Sequence, residues 1–406
     1  MKISYRKLLD ISFSLAVFSM IIMGTSVIGK GFQILFIILS LLGIFYKIFY
    51  FTGYQFIEFL FVIYVLLQVL CGIAELPSTT LQMFSTVLYV TLFTWSTFNY
   101  VVYRKDIYTV AKLYAQASAI AFVVTIVLYF NTLLNFRLSA SSDITIGGFV
   151  LFGGSSSTAL ALQAMLPMFF IILFPPKGER KKAYPYIIFF SLVAIFTGTR
   201  KTLVLIVYSV FFVNELMKEK KSNFKILKIL ILIAVLGSAA YLMLINIPTL
   251  YSFIGYRIEA AVSYYLLSGE GDSSITVRNR MVESAINLFN ERRLFGWGMD
   301  YFKGSKQSSL GYYAHNNYLE MLSGGGVVGF VIYYLRYIYL LIVLIKSSFK
   351  SSKYRNVWIS CTGFVITMLV LEYWQVTYLY RYIMIYPAMI IGIIYLAKQE
   401  RKAVKN

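Results

Sequence analysis

The sequence predicts an all-α polytopic membrane protein of about twelve spans. Three observations carry that prediction. Hydrophobic residues make up 59% of the chain and charged residues 13%, against roughly a quarter charged in an average soluble domain. Apolar runs of about twenty residues, the length that crosses a bilayer as a helix, recur from one end to the other. Basic residues gather in alternate connections between those runs, as they do where cytoplasmic loops retain Lys and Arg.

In order, the apolar runs place spans at 8–28, 32–50, 55–74, 80–102, 107–130, 157–174, 184–198, 201–217, 225–247, 316–345, 356–378 and 382–398. The first follows Met1-Lys-Ile-Ser-Tyr-Arg-Lys7 and lacks a small-residue cleavage site, so it reads as a retained helix. Well over half of the 37 basic residues fall in the segments that a cytoplasmic N-terminus puts inside, from Arg6 and Lys7 to Arg401 and Lys402. An even number of spans puts both termini in the cytoplasm. The chain thus divides into spans one to nine over 1–247, a long extracytoplasmic loop over 248–315, and the last three spans with a tail over 316–406.

The net charge of +20 is in large part a topological signal, not a nucleic-acid surface. Cys71 and Cys361 both lie in apolar runs and offer neither a disulfide framework nor metal spacing. With one histidine in the chain, no metal site is expected, and no cofactor. Residues 131–156, rich in Ser and Gly, read as a lid or a half-inserted segment.

Some cations have no topological reason to be outside. Arg257, Arg278, Arg280, Arg292, Arg293, Lys303 and Lys306 sit in the long loop, and Arg200 and Lys201 in the tight turn Thr197-Gly-Thr-Arg-Lys-Thr202. Snorkelling to headgroups is one reading. Convergence on an anion such as a diphosphate is the other, because guanidinium forks bind phosphate oxygens in pairs. Within the loop, 273–290 reads as an amphipathic helix with an apolar stripe through Val277, Met281, Ala285, Ile286, Leu288 and Phe289. Arg278 flanks the stripe, and Arg280 can pair with Glu283. Leu294-Phe-Gly-Trp-Gly-Met-Asp300 then breaks the helix. Trp297 there can stack on a sugar ring or pack at the membrane surface, and Asp300 is an outside candidate for a second acid or base. The sole histidine, His315, lies in Ala314-His-Asn-Asn-Tyr-Leu-Glu320, where the loop re-enters an apolar run containing Gly324-Gly-Gly-Val-Val-Gly329.

This ordered set resembles the bacterial O-antigen polymerase and ligase family. The motifs that carry the likeness are the Thr-Gly-Thr-Arg turn, the arginine-bearing loop helix, Leu-Phe-Gly-Trp-Gly, Ala-His-Asn-Asn-Tyr-Leu-Glu and Gly-Gly-Val-Val-Gly. The chain departs from the family in having Val282 where tryptophan is common and Glu-Arg-Arg-Leu-Phe where Pro-Leu-Phe is usual, which bears on the packing of the loop. The resemblance implies a GT-C-like integral membrane glycosyltransferase working at the outer face of the cytoplasmic membrane. Its donor and acceptor would be polyprenyl-diphosphate-linked oligosaccharides, and a flippase and a chain-length regulator would be its companions. His315 would be the general base, its ordinary pKa of about 6.5 suiting that task. Arg278 and Arg200 would stabilise the departing diphosphate. Arg280, Asn316, Glu320, Trp297 and Lys201 would contact substrate.

Blander roles stand beside these. Asn316 is well placed as the N-cap of the following helix. Glu320 can orient His315 or pair with an arginine. The glycines at 324–326 and 329 permit close helix packing. Glu372 and Arg381 bracket the last outer turn and can pair with each other. Abundant Lys, Ile, Tyr and Phe with little Ala tilts the reading toward a polymerase of capsular polysaccharide or exopolysaccharide. A ligase using another acceptor is the alternative within the family. A flippase is the alternative outside it, although the notable residues gather on one face and no inverted repeat is visible.

Overall fold

A computed structural model describes residues 4–24, 26–43, 50–135, 137–140, 142–146, 149–199, 204–217, 259, 273–305, 311–350 and 354–405. Helices dominate: α1 (Tyr5–Ile22), α2 (Val27–Leu42), α3 (Gly53–Leu70), α4 (Pro77–Arg104), α5 (Ile107–Leu128) and the short α6 (Phe130–Leu134). After α7 (Ser157–Leu173) and α8 (Tyr184–Phe196), the segment Val207–Val213 winds as a π-helix. Then come α9 (Ser273–Glu291), α10 (Tyr301–Gly304), α11 (Asn317–Lys350), α12 (Arg355–Glu372) and α13 (Arg381–Lys405). The expected span at 225–247 lies outside the described residues.

Local chemistry explains where several helices begin. Ser4, Ser26, Asp106 and Ser156 stand immediately before apolar runs, and each side chain accepts the backbone N–H three residues on. Such caps satisfy an amide that the first turn leaves orphaned. Of the described helices, α3, α5, α11 and α13 are long and apolar enough to cross a membrane, while α2 and α7 are shorter apolar helices. The segment expected as a lid or a half-inserted segment holds a two-stranded antiparallel hairpin, Ile144–Ile146 with Phe149–Phe152. Its base is fastened by Ala140 N–H to Ser155 O and Gly153 N–H to Ile22 O, both 2.8 Å.

Helix α11 is inverted relative to a helix in water. Val331, Leu335, Ile338, Ile342 and Ile345 form a stripe at spacings of three and four and are exposed, whereas Tyr333, Arg336 and Tyr337 are buried. A helix on a soluble protein turns its apolar stripe inward. An outward stripe on a helix this long belongs in hydrocarbon, so the chain is a multi-pass membrane protein.

The chain forms two compact units. One comprises Met1–Phe49, Ser96–Glu259 and Tyr395–Asn406; the other comprises Tyr50–Trp95 and Ala260–Ile394. In the first, α1 packs on α2 and α5, and α7 on α5 and α8. In the second, α11 packs on α3, α9 and α12.

The second unit turns on a break in α11. At Gly326 (φ 61°, ψ −169°) the helix stops and restarts. The amides of Val327 and Val328 donate instead to Arg293 O (2.8 Å) and Leu294 O (3.1 Å), while Ser323 O and Gly324 O accept from Trp297 N–H (3.0 Å) and Gly298 N–H (2.9 Å). Gln68 adds bonds from its amide to Phe295 O and Gly324 O, both 2.9 Å, and the Tyr64 hydroxyl donates to Phe295 O at 3.0 Å. The two glycine motifs are therefore one interlocked backbone device. The expected close approach is made at Gly324 and at the break itself, Gly326, and again at Gly329, which meets Tyr64.

This predicts opposite outcomes at neighbouring glycines. Gly326 occupies a backbone region that L side chains hardly enter, and a Cβ there would strike Leu294 O. Gly326→Ala should cost at least about 2–3 kcal/mol, read as a large drop in thermal midpoint of the detergent-purified chain. A Cβ on Gly325 meets Met299 Sδ at an ordinary 3.6 Å, so Gly325→Ala should leave the midpoint nearly unchanged.

Candidate functional site

The arginine-bearing helix docks by a narrow stripe. Met281, Ala285 and Leu288 are buried in one core with Tyr301, Phe302 and Ala314, and Leu76, Trp297 and Leu319 pack against it. Val277 and Ile286, expected on the stripe, are exposed. The core joins α9 to both flanks of His315, since Ala314 precedes it and Leu319 lies four residues on. Arg278 stands one turn before Met281 at the edge of the stripe, and Arg280 is turned further away; both are exposed.

The cations expected outside sort by their partners. Arg292 binds Glu75 at 2.8 Å and lies 3.8 Å over the Trp297 ring. Arg293 donates to Asn290 Oδ1 at 3.0 Å. Lys303 lies 4.8 Å over Tyr313, and Arg381 lies 4.9 Å over Tyr89. Arg278 and Arg280 make no hydrogen bond or ion pair among the described residues. Arg280 and Glu283 thus stand unpaired with each other. Arg200, Lys201, Arg257 and Lys306 lie outside the described residues; the turn that leads to Arg200 is closed by Thr197 Oγ1, 2.8 Å from Thr199 Oγ1.

Trp297 is engaged on several sides. Its Nε1 donates to Leu288 O at 2.9 Å, covering a carbonyl near the end of α9, and its ring stacks on Tyr301 at 5.0 Å. Asp300 follows in left-handed backbone (φ 69°). Burial pushes its carboxyl above the ordinary 3.8, and Lys303 and the Tyr313 hydroxyl pull it partly back.

His315 is exposed, and its own backbone is left-handed (φ 53°). Such a conformation is uncommon outside glycine, with His among the enriched exceptions. It persists where the surroundings over-determine it. Ala314 N–H donates to Glu320 Oε2 at 2.8 Å, so Glu320 holds the residue before the histidine. Asn316 Oδ1 accepts from Tyr318 N–H (3.0 Å) and Leu319 N–H (3.2 Å). That is an N-cap, the simpler of the roles expected for Asn316.

The bracket of Glu372 and Arg381 does not form an ion pair. Glu372 turns inward and accepts from Asn317 Nδ2 (3.0 Å), Tyr334 OH (2.8 Å) and Tyr337 OH (3.2 Å), together with Thr377 Oγ1. Asn317 is the functional candidate that sequence reasoning passed over. Its only signal was its place as the second Asn of the pair after His315.

A capping role makes a graded prediction. Asn316→Ala should destabilise by about 1 kcal/mol, while Asn316→Ser, also a good cap, should be nearly neutral. Thermal midpoints measure the first effect. Turnover by Asn316→Ser then separates the cap from any contact of the amide with substrate, because serine retains only the former.

No curated protein matches the chain. The family model described as O-antigen ligase matches residues 185–334, a stretch that includes α8, the Thr197 turn, α9, the Gly-Trp-Gly turn, His315 and the break at Gly326. Residues 185–334 thus match an O-antigen ligase domain, which supports the likeness to the O-antigen polymerase and ligase family read from the motifs.

Proposed function

We propose that the chain polymerises polyprenyl-diphosphate-linked oligosaccharide repeat units into a capsular or exopolysaccharide at the outer face of the cytoplasmic membrane. The single observation that carries the reading is the shared core: Ala314, next to the exposed His315, is buried together with the stripe of α9, at whose edge stands Arg278, unpaired among the described residues. The segments that carry the proposed base and the proposed cation thus pack against one core.

The proposed step is an inverting displacement without a metal. The acceptor hydroxyl attacks the anomeric carbon of the donor glycan, forming one C–O bond as the bond to the lipid diphosphate breaks. His315 takes the hydroxyl proton. Arg278 stabilises the charge gathering on the diphosphate, and Arg280, on another face of the same helix, contacts substrate. A diphosphate departs as an anion, so the step needs no acid opposite the base, unlike a glycosidase. By the family resemblance Arg200 is a further diphosphate cation and Lys201 a substrate contact. Asn316, Glu320 and Trp297 act on substrate through the segments they hold.

The description of the matched family as a ligase keeps ligation as the second reading, with the same donor and a different acceptor. Purified protein given a synthetic lipid-diphosphate repeat unit should yield a ladder of lengths on a gel. Transfer that stops after one addition to a foreign acceptor would indicate a ligase, and lipid movement without extension a transporter. His315→Ala and Arg278→Ala should each lower kcat by about 100-fold or more with the thermal midpoint retained; an active His315→Ala chain would remove the base assignment.

A further inference from the structure

Asn317 is fully buried, although asparagine ordinarily sits at the surface. Its side chain is engaged at both ends. Nδ2 donates to Tyr334 OH at 2.9 Å and to Glu372 Oε2 at 3.0 Å. Oδ1 accepts from Thr377 N–H at 2.9 Å and lies 3.5 Å from Tyr378 N. Glu372, also buried, gathers the hydroxyls of Tyr334, Tyr337 and Thr377. One polar cluster thus ties the first turn of α11, the end of α12 and the outer turn at 373–380.

Packing alone does not require such a cluster, since well-packed apolar groups often replace buried polar sets at little cost in stability. A fully satisfied network instead selects one arrangement of the elements that share it. The arrangement selected here is that of the His315 segment. Glu320 fastens Ala314 before the histidine, and Asn317 fastens the chain two residues after it. The left-handed backbone of His315 is braced from both sides.

We propose that Asn317 is a positioning residue which, through Glu372 and the 373–380 turn, fixes the backbone from which His315 projects. The inference deepens the reading of His315 as the base and rests on it. Asn317 acts through His315 and does not touch substrate.

The test uses the fact that the chain holds one histidine. The full chain, purified without a polyhistidine tag and labelled with ¹³C at histidine Cε1, gives a single resonance that needs no assignment. Asn317→Ala should move or broaden that resonance and lower kcat by about 10- to 100-fold, with KM changed much less. Tyr334→Phe removes one donor to Glu372 and keeps its shape; it should do the same in smaller degree, and it serves where Asn317→Ala does not survive extraction. Asn317→Asp sets a second carboxylate against Glu372 and should be the worst single change. Pairing it with Glu372→Gln restores a donor opposite an acceptor and should recover both the resonance and most of the rate.

An unmoved resonance in Asn317→Ala with kcat within about twofold of wild type would overturn the proposal, as would a paired variant no better than Asn317→Asp alone. The two readings fail separately. An active His315→Ala chain removes the base, whereas the resonance reports the clamp without any turnover.

Discussion

The unit that holds His315 depends on one exchange of backbone hydrogen bonds. A helix in hydrocarbon cannot break unless its freed amides and carbonyls find partners, because the surrounding lipid offers none. At Gly326 those partners come from residues 293–298, with Gln68 and Tyr64 filling in from α3. Each buried group left unpaired would cost about 1–3 kcal/mol, so neither the broken helix nor the loop is stable without the other. The contact also demands bare backbone. Side chains at Gly296, Gly324 or Gly326 would fall inside or hard against the opposing strand of chain. Two glycine motifs far apart in sequence are therefore the two halves of one joint.

From that joint the rest of the unit follows. The loop it captures carries Trp297, whose indole covers Leu288 O and so sets the end of α9. Once α9 is docked, its stripe closes over Ala314, and the histidine segment acquires a floor. Below it, α11 carries its polar residues inward: Arg336 lies 3.7 Å from Glu58 and between 4 and 5 Å over the rings of Tyr333 and Tyr337. In a membrane no hydrophobic force drives helices together, so small residues and polar contacts hold them. Gly329 against Tyr64 and the cluster around Glu372 are examples of each.

Much of this was legible in the residues, unevenly. The membrane class followed from composition and span length, and the helix starts from polar residues before apolar runs. The amphipathic helix at 273–290 was legible because a 3.6-residue period is a strong signal, although its stripe narrowed to Met281, Ala285 and Leu288. What stayed hidden were pairings between distant segments. Nothing in Gly324-Gly-Gly-Val-Val-Gly329 distinguishes a site of helix packing from a helix break capped by a loop, since both need small residues. Glu372 was misjudged for a related reason. Its charge pointed to Arg381 nearby in sequence, but four neutral donors surround the carboxylate and Arg381 finds an aromatic face instead. The second Asn after His315 gave no hint of its partners, because those lie on another helix and a turn.

The partners of these cations bear on which of them can meet a ligand. An exposed guanidinium loses little by remaining unpaired in water, so freedom alone says nothing. Position is what separates them. Arg292 and Arg293 are spent at the end of α9, where they close the turn into the joint, and Lys303 and Arg381 cover aromatic rings. Arg278 stands at the other end of the same helix, at the edge of the stripe that buries Ala314, so its backbone is fixed by the same core that fixes the histidine. A long, flexible side chain on a docked helix suits the proposed role, in which the cation would follow a diphosphate as charge builds and the lipid departs. The histidine meets the opposite requirement. A base of the kind proposed needs one geometry at the moment of proton transfer, and the histidine segment is fastened on both sides, by Glu320 and by Asn317.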